Sequence, residues 1–272
     1  MIEIKNLSFR YPRSEYILRD VNIRISAGEY VAIVGENGSG KSTLVRHLNG
    51  LLLPAEGSVT VSGMPTTDES CLDQIRQKVG MVFQDPMTQF VGATVWEDVA
   101  FGPSNLCFSR EKMLEAVEAS LRAVGLEEFR DASPSLLSGG QMQLAAIAGV
   151  LAMEPECLVF DESVSMLDSI TRNKIISLIQ KLHSDGKTIV HIAHNLDEIR
   201  HAERIIALKN GRVLYDGKMA TFLEREVFRD AGMAIPQIMD LSLRLKQAGI
   251  LEDIACDMGT VVEGICRFKS KT

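Results

Sequence analysis

The chain has 272 residues, of which 46% are apolar, and a formal net charge of −7. This length is enough for a sizeable core with more than one lobe, and the negative charge disfavours a nucleic-acid partner. Five scattered cysteines without a CxxC spacing favour reduced thiols over a disulfide framework or a zinc site. The apolar run 145–153 is about half of the roughly 20 residues that a membrane-spanning helix needs, and residues 1–11 lack a signal pattern. We therefore expect a compact soluble protein.

The first predicted elements are strands. Apolar runs separated by turns predict strands within residues 1–28 and 58–63. Tyr11 follows the run Leu7-Ser8-Phe9-Arg10, where an aromatic ring could stack on adenine. An aromatic side chain that covers the edge of a sheet explains Tyr11 equally well. Both interpretations of Tyr11 stay open at this stage.

A glycine-rich loop follows the next predicted strand, Tyr30–Val34, and precedes a helical pattern that reaches Leu51. The loop reads Gly35-Glu36-Asn37-Gly38-Ser39-Gly40-Lys41-Ser42-Thr43. A strand, such a loop and a helix in this order are the context of a phosphate-binding loop, which disfavours an ordinary glycine turn. Backbone N–H groups would surround the phosphates, Lys41 would reach their β and γ oxygens, and Ser42 would bind Mg²⁺.

Gln84 follows the strand-like run Val79–Phe83. A neutral amide at this strand end could touch both Mg²⁺ and an attacking water, although a plain loop glutamine is the commoner case without further context. Further along, residues 110–124 carry apolar side chains at helical spacing, which predicts a helix with one buried face.

A second candidate anion site begins after Pro134, at Leu137-Ser138-Gly139-Gly140-Gln141. The segment opens a helical stretch that reaches Ala152. Ser138 can cap this helix while the free N–H groups face a phosphate. Two interpretations stay open: a well-capped helix N-terminus, or a cradle that closes on a γ-phosphate held by another copy.

The apolar run Cys157–Phe160 ends in Asp161 and Glu162. Buried parallel strands carry polar groups at the carboxyl edge, where ligands bind. We expect Asp161 to hold Mg²⁺ and Glu162 to orient or deprotonate an attacking water. The alternative is a solvated acidic pair, which is common on protein surfaces.

A further predicted strand, Thr188–Ile192, leads into His194. A histidine at a strand end can hydrogen-bond a γ-phosphate, whereas a histidine satisfied in the core is the ordinary alternative. Alternation along a continued strand would point His191 to the opposite face. Its position relative to the strand end favours His194 as the functional residue.

Together these motifs resemble an ATP-binding-cassette (ABC) ATPase. Seven elements stand in the family's order: Tyr11, the Walker A loop 35–43, Gln84, the signature 137–141, the Walker B pair Asp161-Glu162, the D-loop 165–168 and His194. The resemblance implies an α/β P-loop NTPase fold with an antiparallel β subdomain, and a head-to-tail dimer. Two ATP molecules would lie between the Walker A loop of one subunit and the signature of the other, and Asp168 would cross the interface.

The resemblance assigns roles to individual residues. The expected catalytic residues are Lys41, Gln84, Glu162 and His194. The expected ATP contacts are Tyr11, Gly35, Asn37, Gly38, Ser39, Gly40, Lys41, Ser42, Thr43, Gln84, Asp161, Ser138, Gly139, Gly140, Gln141 and Asp168, and the expected Mg²⁺ ligands are Ser42, Gln84 and Asp161. It also divides the chain into an ATP-binding core with the β subdomain, a helical subdomain that carries the signature and a C-terminal helical extension: 1–84 with 154–215, 85–153 and 216–272.

Two stretches, 48–57 and 84–102, resemble the ATPase subunits of energy-coupling-factor importers, a group that includes cobalt-uptake ATPases. Membership would imply an ATPase that powers uptake of a vitamin or a transition-metal ion, bound peripherally at the cytoplasmic face of the membrane. Its partners would be a second ABC ATPase subunit, a transmembrane coupling protein and a separate substrate-binding membrane protein. A groove around 89–96 would receive helices of the coupling protein, unless Phe90 and Trp96 only line the helical lobe.

Two features leave questions at this stage. The signature helix of the family commonly continues Gln-x-Gln-Arg, whereas Leu144 follows Gln143 here and lacks a guanidinium's donors, which could affect how the helical lobe is positioned. Pro236 starts a predicted helix with Ile238, Leu241, Leu245 and Ala248 on one stripe, which either docks on the core or stabilises a dimer.

Three other functions compete with an importer ATPase. A soluble ABC ATPase of translation or DNA repair would act as an ATP-gated clamp, but such proteins carry two cassettes or a long coiled-coil insertion that this chain has no room for. An ATPase of another ABC transporter type remains compatible with the shared motifs. A catalytically silent partner is disfavoured because Lys41, Asp161, Glu162 and His194 are all present.

Overall fold

Two β-sheets organise the protein in the computed structural model, which describes residues 1–165 and 167–271, with side chains through Lys269. Met166, part of the D-loop predicted above, lies outside the described residues. The strands are β1 (Ile2–Phe9), β2 (Leu18–Ile25), β3 (Tyr30–Val34), β4 (Glu56–Val61), β5 (Met64–Pro65), β6 (Val79–Val82), β7 (Cys157–Asp161), β8 (Thr188–Ile192), β9 (Arg204–Lys209) and β10 (Arg212–Gly217). The helices are α1 (Lys41–Arg46), α2 (Leu72–Lys78), α3 (Val95–Asn105), α4 (Arg110–Val124), α5 (Gly139–Leu151), α6 (Ser169–Ser184), α7 (Met219–Glu224), α8 (Val227–Asp230), α9 (Gln237–Gln247) and α10 (Met258–Lys271).

The first sheet is antiparallel, with the order β2-β1-β4-β5. In β2 the buried side chains are Leu18, Val21, Ile23 and Ile25, and the residues between them face outward. This alternation leaves one face of the sheet apolar, so the sheet must pack on another layer. The expected antiparallel β subdomain is confirmed.

The second sheet has the order β10-β9-β3-β8-β7-β6, and its neighbours from β9 to β6 pair in parallel. Strands β3, β7 and β8 are buried along their whole length, as expected for a sheet covered on both faces. The carboxyl ends of β3, β8, β7 and β6 therefore lie at one edge. The loops that follow these four strands meet there, which positions the candidate site.

Side chains of each parallel strand alternate between two apolar clusters. In β3, Tyr30, Ala32 and Val34 join the first cluster, whereas Val31 and Ile33 join the second. The first cluster includes side chains of α3 to α6, and the second joins the parallel sheet to the antiparallel sheet and α1. The parallel sheet is therefore the central layer, and the expected α/β fold class is confirmed.

The hairpin between β9 and β10 turns at Asn210 and Gly211. Both residues have positive φ, 49° and 74°. A turn with two such residues matches the right-handed twist of its strands and favours the Asn-Gly dipeptide. The predicted helix over 110–124 is also present as α4, with Val117, Leu121 and Val124 buried.

Two helix predictions differ from the structure. Helix α1 ends at Arg46, and Leu51 is 46% exposed, because the chain turns at Gly50 with φ 70°. On α9 the buried residues are Met239, Ser242 and Leu243, whereas Leu241 of the predicted stripe is 42% exposed. The neighbours that α9 meets, and not its own periodicity, select the buried face.

The C-terminal residues dock on the core within one chain. Phe222, Leu223, Phe228, Met233 and Met239 all belong to the first apolar cluster. Gly232 lies against Glu36 of the Walker A loop, where an added Cβ would come within 2.2 Å of the Glu36 Cγ. Among the described residues, no helix has the length and apolar character needed to cross a bilayer.

Candidate nucleotide site

A cavity of about 270 Å³ lies at the carboxyl edge of the parallel sheet. Its described lining residues are Ile17, Asn37, Gly38, Gly40, Lys41, Ser42, Thr43 and Glu162. Gly35 and Gly40 have φ of 145° and 103°, and an added Cβ would lie 2.3 Å from the Leu208 carbonyl oxygen or 2.8 Å from a Leu18 methyl. Only glycine fits these two positions, and the loop lines the cavity at the start of α1.

Lys41 is held inside the loop. Its Nζ donates to the carbonyl oxygens of Gly35 at 2.9 Å and Glu36 at 3.1 Å, and lies 3.8 Å from Glu162 Oε1. Burial lowers the pKa of the Lys41 ammonium, and the carboxylates of Glu162 and Asp161 oppose that shift. The side chain is thus fixed beside the cavity as a cation that phosphate oxygens can contact in place of the loop carbonyls.

Ser42 and Asp161 meet across the start of α1 and the end of β7. The Ser42 hydroxyl donates to Asp161 Oδ1 at 2.8 Å, and Asp161 is 4% exposed. Burial raises the pKa of Asp161, the Ser42 hydrogen bond lowers it, and the charge of Glu162 raises it further. Two oxygen donors on a buried, electron-rich edge fit a hard divalent cation such as Mg²⁺.

No group of three or more His, Cys, Asp or Glu side chains in the described part of the chain could hold a metal ion by itself. A cation at Ser42 and Asp161 would therefore complete its shell with phosphate and water oxygens. Mg²⁺ in nucleotide sites is bound in this way, through one or two protein ligands and the substrate phosphates.

Glu162 and His194 form a close pair at 2.7 Å between Nε2 and Oε1. Glu162 has φ 53°, an uncommon conformation for a residue with a side chain, and its carbonyl accepts from the Ser165 hydroxyl at 2.9 Å. This conformation turns the chain sharply after β7, and the Glu162 side chain lines the cavity.

His191, the alternative histidine, faces the core. It is fully buried, its Nδ1 lies 3.0 Å from the Tyr30 hydroxyl, and burial lowers its pKa to about 4. A neutral, enclosed imidazole cannot contact a ligand at the sheet edge. The structure therefore places His194, and not His191, beside Glu162.

Gln84 and Tyr11 lie outside the described lining of the cavity. Gln84 is exposed beyond the end of β6, and no hydrogen bond of its side chain is found within the described residues. The Tyr11 ring packs edge-on against Phe9, with ring centroids 5.0 Å apart, and stays half-buried. That contact agrees with the alternative in which Tyr11 covers the edge of the sheet. The roles of Gln84 and Tyr11 toward a nucleotide stay predictions.

The signature segment is capped and faces outward. Ser138 accepts from the Gln141 N–H at 3.3 Å while its own N–H donates to Gln141 Oε1 at 2.9 Å, a reciprocal capping box. Ser138 and Gly139 are exposed, and none of residues 137–141 is among the described residues that line the cavity. Within one chain the two candidate anion sites are not brought together.

Asp168 caps α6 on the same side of the molecule as the signature. It accepts from the N–H groups of Ile170 at 2.9 Å and Thr171 at 3.0 Å, and from the Thr171 hydroxyl at 2.7 Å. The Thr171 hydroxyl, followed by these N–H groups, lowers the pKa of Asp168. Gly140 lies against Thr171, where an added Cβ would come within 2.6 Å of its methyl group.

Three contributors were missed from the sequence. Ile17 forms an apolar wall of the cavity, and nothing in its local pattern marks it. Gln143 is 1% exposed and donates to the Phe83 carbonyl at 3.2 Å, which links α5 to the residue before Gln84. Glu198 is 5% exposed near His194. The available signal for Gln143 was a polar residue on an otherwise apolar helix face. Leu144, the next residue, is buried in the first apolar cluster.

A larger groove of about 560 Å³ lies between the core and the helical lobe. Its lining includes Leu51, Arg76, Phe83, Phe101 and Met153, and Phe101 is 51% exposed. In the predicted groove 89–96, by contrast, Phe90 and Trp96 pack against the first apolar cluster.

Known proteins resemble this chain along its length. Residues 18–165 match the family model described as ABC transporter. The chain is 46% identical to the energy-coupling factor transporter ATP-binding protein EcfA of Methanosarcina acetivorans, over 100% of both chains. It is 43% identical to the cobalt import ATP-binding protein CbiO of Syntrophus aciditrophicus, over 99% of this chain and 98% of that protein.

Solved structures resemble the fold as well. The structure of cbiO1 from Clostridium perfringens, described as part of the ABC transporter complex cbiONQ, matches 91% of this chain and 96% of its own with a TM-score of 0.76 and 32% identity. A dimeric post-hydrolysis state of the ATP-binding cassette MJ0796, bound to ADP and Pi, matches 80% of this chain and 99% of its own with a TM-score of 0.74 and 37% identity.

Proposed function

This chain belongs to the ABC transporter family, and we propose that it is the ATP-hydrolysing subunit of an energy-coupling factor importer. The observation that carries the proposal is the Glu162–His194 pair at 2.7 Å beside Lys41, in a chain that matches an EcfA protein over its full length. The predicted family and activity are confirmed. ATP hydrolysis by this subunit would power uptake of a vitamin or a transition-metal ion through membrane partners.

The residues at the sheet edge support a division of chemical labour. The Walker A loop and Lys41 bind and neutralise the phosphates, and Glu162 orients the attacking water and accepts its proton. His194 holds Glu162 and would contact the γ-phosphate. Mg²⁺, held by Ser42, Asp161 and Gln84, would supply charge neutralisation at the β and γ phosphates.

The exposed signature supports action as a dimer. Ser138 to Gln141 would complete the ATP site of a second ABC ATPase subunit, while Lys41, Asp161, Glu162 and His194 serve the ATP of their own chain. Asp168, at the start of α6, would lie at the interface. The partner is either a second copy or a paralogue.

The groove between the core and the helical lobe supports a membrane partner. Its exposed Leu51 and Phe101 offer apolar surface beside the strand end that precedes Gln84. We assign this groove, and not residues 89–96 alone, to helices of a transmembrane coupling protein. A separate membrane protein would bind the substrate, and the ATPase would sit peripherally at the cytoplasmic face.

The test is reconstitution with the coupling protein and the substrate-binding membrane protein encoded by the same organism. We expect substrate uptake that requires ATP and stops in Glu162→Gln, with the variant still in the membrane-bound complex. Phe101→Ser serves as the docking control, which we expect to bind ATP normally and to leave the complex. ATP hydrolysis by a chain that never joins membrane partners would instead support the soluble clamp.

A further inference from the structure

A buried carboxylate lies close behind the candidate acid-base pair. Glu198 is 5% exposed and lies four residues after His194, and its N–H donates to the Asn195 carbonyl at 3.1 Å. Burial raises the pKa of Glu198, while the charges of Arg172 and His194 oppose that shift. A carboxylate buried in this way needs a cation to offset its lost hydration.

Arg172 on α6 is the cation found beside Glu198 within the described chain, with 4.0 Å between Nε and Oε1. The same guanidinium donates through Nη2 to the Leu167 carbonyl at 2.9 Å and through Nε to the Val164 carbonyl at 3.4 Å. Both carbonyls belong to the segment between Glu162 and Asp168. A planar guanidinium can hold two backbone carbonyls and face a carboxylate at once, which a lysine cannot.

We name two short segments that Arg172 joins. The D segment comprises residues 163–165, 167 and 168, and the switch segment comprises residues 193–199. The D segment connects Glu162 to Asp168, and the switch segment carries His194 and Glu198. Neither segment is part of a helix or strand, so side-chain contacts must set their relative position.

The first turns of α6 face the signature as well. Thr171, next to Arg172, holds Asp168 and packs against Gly140. One helix start therefore contacts the segment that would serve a partner's ATP and the segment that carries this chain's own histidine. A shift of Asp168 on dimer closure would move the backbone carbonyls that Arg172 holds.

We propose that Arg172 and Glu198 are positioning residues that lock the D segment to the switch segment, so that Asp168 and the Glu162–His194 pair move together. The proposal rests on the proposed function, because it concerns ATP hydrolysis in a dimer. Neither side chain lines the cavity, and both act through the groups that they hold.

The main experiment is a double-mutant cycle in the assembled complex with Arg172→Gln, Glu198→Gln and their combination. We expect each single variant to lower kcat about tenfold with KM for ATP within about twofold, since the binding loop is untouched. The double variant should also lose about tenfold, because both changes break one link. Losses that multiply to about a hundredfold, or a rise in KM alone, would overturn the proposal.

Controls separate positioning from general stability. Glu3→Gln removes an exposed ion pair with Lys5 at 2.8 Å on the distant antiparallel sheet and should leave both kcat and hydrogen exchange unchanged. Arg172→Lys keeps a cation for Glu198 but cannot reach both carbonyls, so we expect an intermediate loss of about threefold. A loss of kcat that only follows the fraction of unfolded protein in thermal melts would count against positioning.

Amide hydrogen exchange tests the link without turnover. In Glu198→Gln both the D segment and the switch segment should exchange faster, whereas unchanged exchange in the D segment would contradict the lock. If the wild type and Glu162→Gln are equally inactive, the proposed function fails, and hydrogen exchange still decides the role of Arg172 and Glu198. If only Glu162→Gln is inactive and the pair variants are normal in both assays, the positioning proposal alone fails.

Discussion

The carboxyl edge of the parallel sheet and the N-terminus of α5 are the two candidate phosphate-binding sites, and they differ in how many of their groups are already paired within the chain. At the sheet edge, Lys41 and Asp161 are each 4% exposed and already contact the loop carbonyls and Ser42. At α5, Ser138 and Gly139 are exposed, and the capping box pairs only the N–H groups of Ser138 and Gln141. The groups of the first site are assembled within one chain, whereas we propose that the second serves the ATP of another subunit.

This difference has a structural cause. Four parallel strands bring distant residues to one edge, so their side chains meet without any ligand or partner. The α5 N-terminus projects from a helical lobe, and no hydrogen bond of the Gly139 and Gly140 N–H groups is found within the described residues. A dimer would use the rigid edge of one subunit and the open cradle of the other.

The largest effect is expected from Glu162→Gln, at the carboxyl edge of the parallel sheet. We expect at least a hundredfold loss of ATP hydrolysis, because the amide cannot accept the water's proton, while ATP binding persists. Size-exclusion chromatography with ATP should show an accumulated dimer. A variant that hydrolyses ATP at the wild-type rate would exclude Glu162 as the base.

The site at the carboxyl edge also depends on the buried strand β8, which carries His191. Burial lowers the pKa of His191 to about 4, so this histidine takes up a proton more readily in the unfolded chain, whose histidines titrate near their ordinary pKa of about 6.5. Stability is therefore fully present above pH 6.5 and falls as the pH drops from 6.5 toward 4. At pH 5 the loss should be about 2 kcal/mol.

Denaturant unfolding at pH 7 and pH 5 measures this loss. The matched variant is Tyr30→Phe with His191→Leu, which removes both hydrogen-bonding partners together and avoids a lone buried hydroxyl. It should flatten the pH dependence. An equal pH dependence in the wild type and the double variant would show that His191 does not cause it.

The signature segment at the start of α5 is tested most cleanly by Gly139→Ala. An added Cβ at Gly139 meets nothing within 4 Å in the chain, so the variant should keep its stability. We expect about a tenfold loss of ATP hydrolysis, because the methyl group would meet the ATP of the partner subunit, equivalent to about 1.4 kcal/mol. Steady-state ATPase assays and thermal melts are measured on the same samples.

Gly140→Ala is the contrasting variant, since its Cβ would press on Thr171 at 2.6 Å. It should lose stability as well as activity. Equal behaviour of the two alanine variants would mean that the signature acts only as a helix N-terminus in its own chain.

The smallest expected effect concerns the hydrogen bond that joins α5 to the residue before Gln84. Gln143→Leu removes the donor to the Phe83 carbonyl and should lower the free energy of unfolding by about 1 kcal/mol. A fall of a few degrees in Tm would be measured by calorimetry. Gln141→Leu, at a half-buried position two residues earlier, is a control that breaks the capping box instead, and an equal fall in Tm in both variants would show no special role for Gln143.

Much of the site was predictable because its motifs are local. The glycine loop needs backbone conformations that only glycine adopts readily, and the polar residues Asp161 and Glu162 directly follow a buried apolar run. The preference for His194 over His191 followed from its position relative to the strand end. The buried face of α9 and the early end of α1 were missed, because packing against other elements decided both.

By itself the sequence determined the phosphate-binding loop and the acid-base candidates, since these depend on residues a few positions apart, and the α/β class followed from the family that these motifs resemble. Only the tertiary structure decided that Arg172 faces Glu198, that Gln143 reaches Phe83 and that Ser138 stays exposed. Such contacts join segments that are distant along the chain, and no local pattern specifies them. Packing of the helices against the sheet sets which polar groups are enclosed together and which are left for a partner.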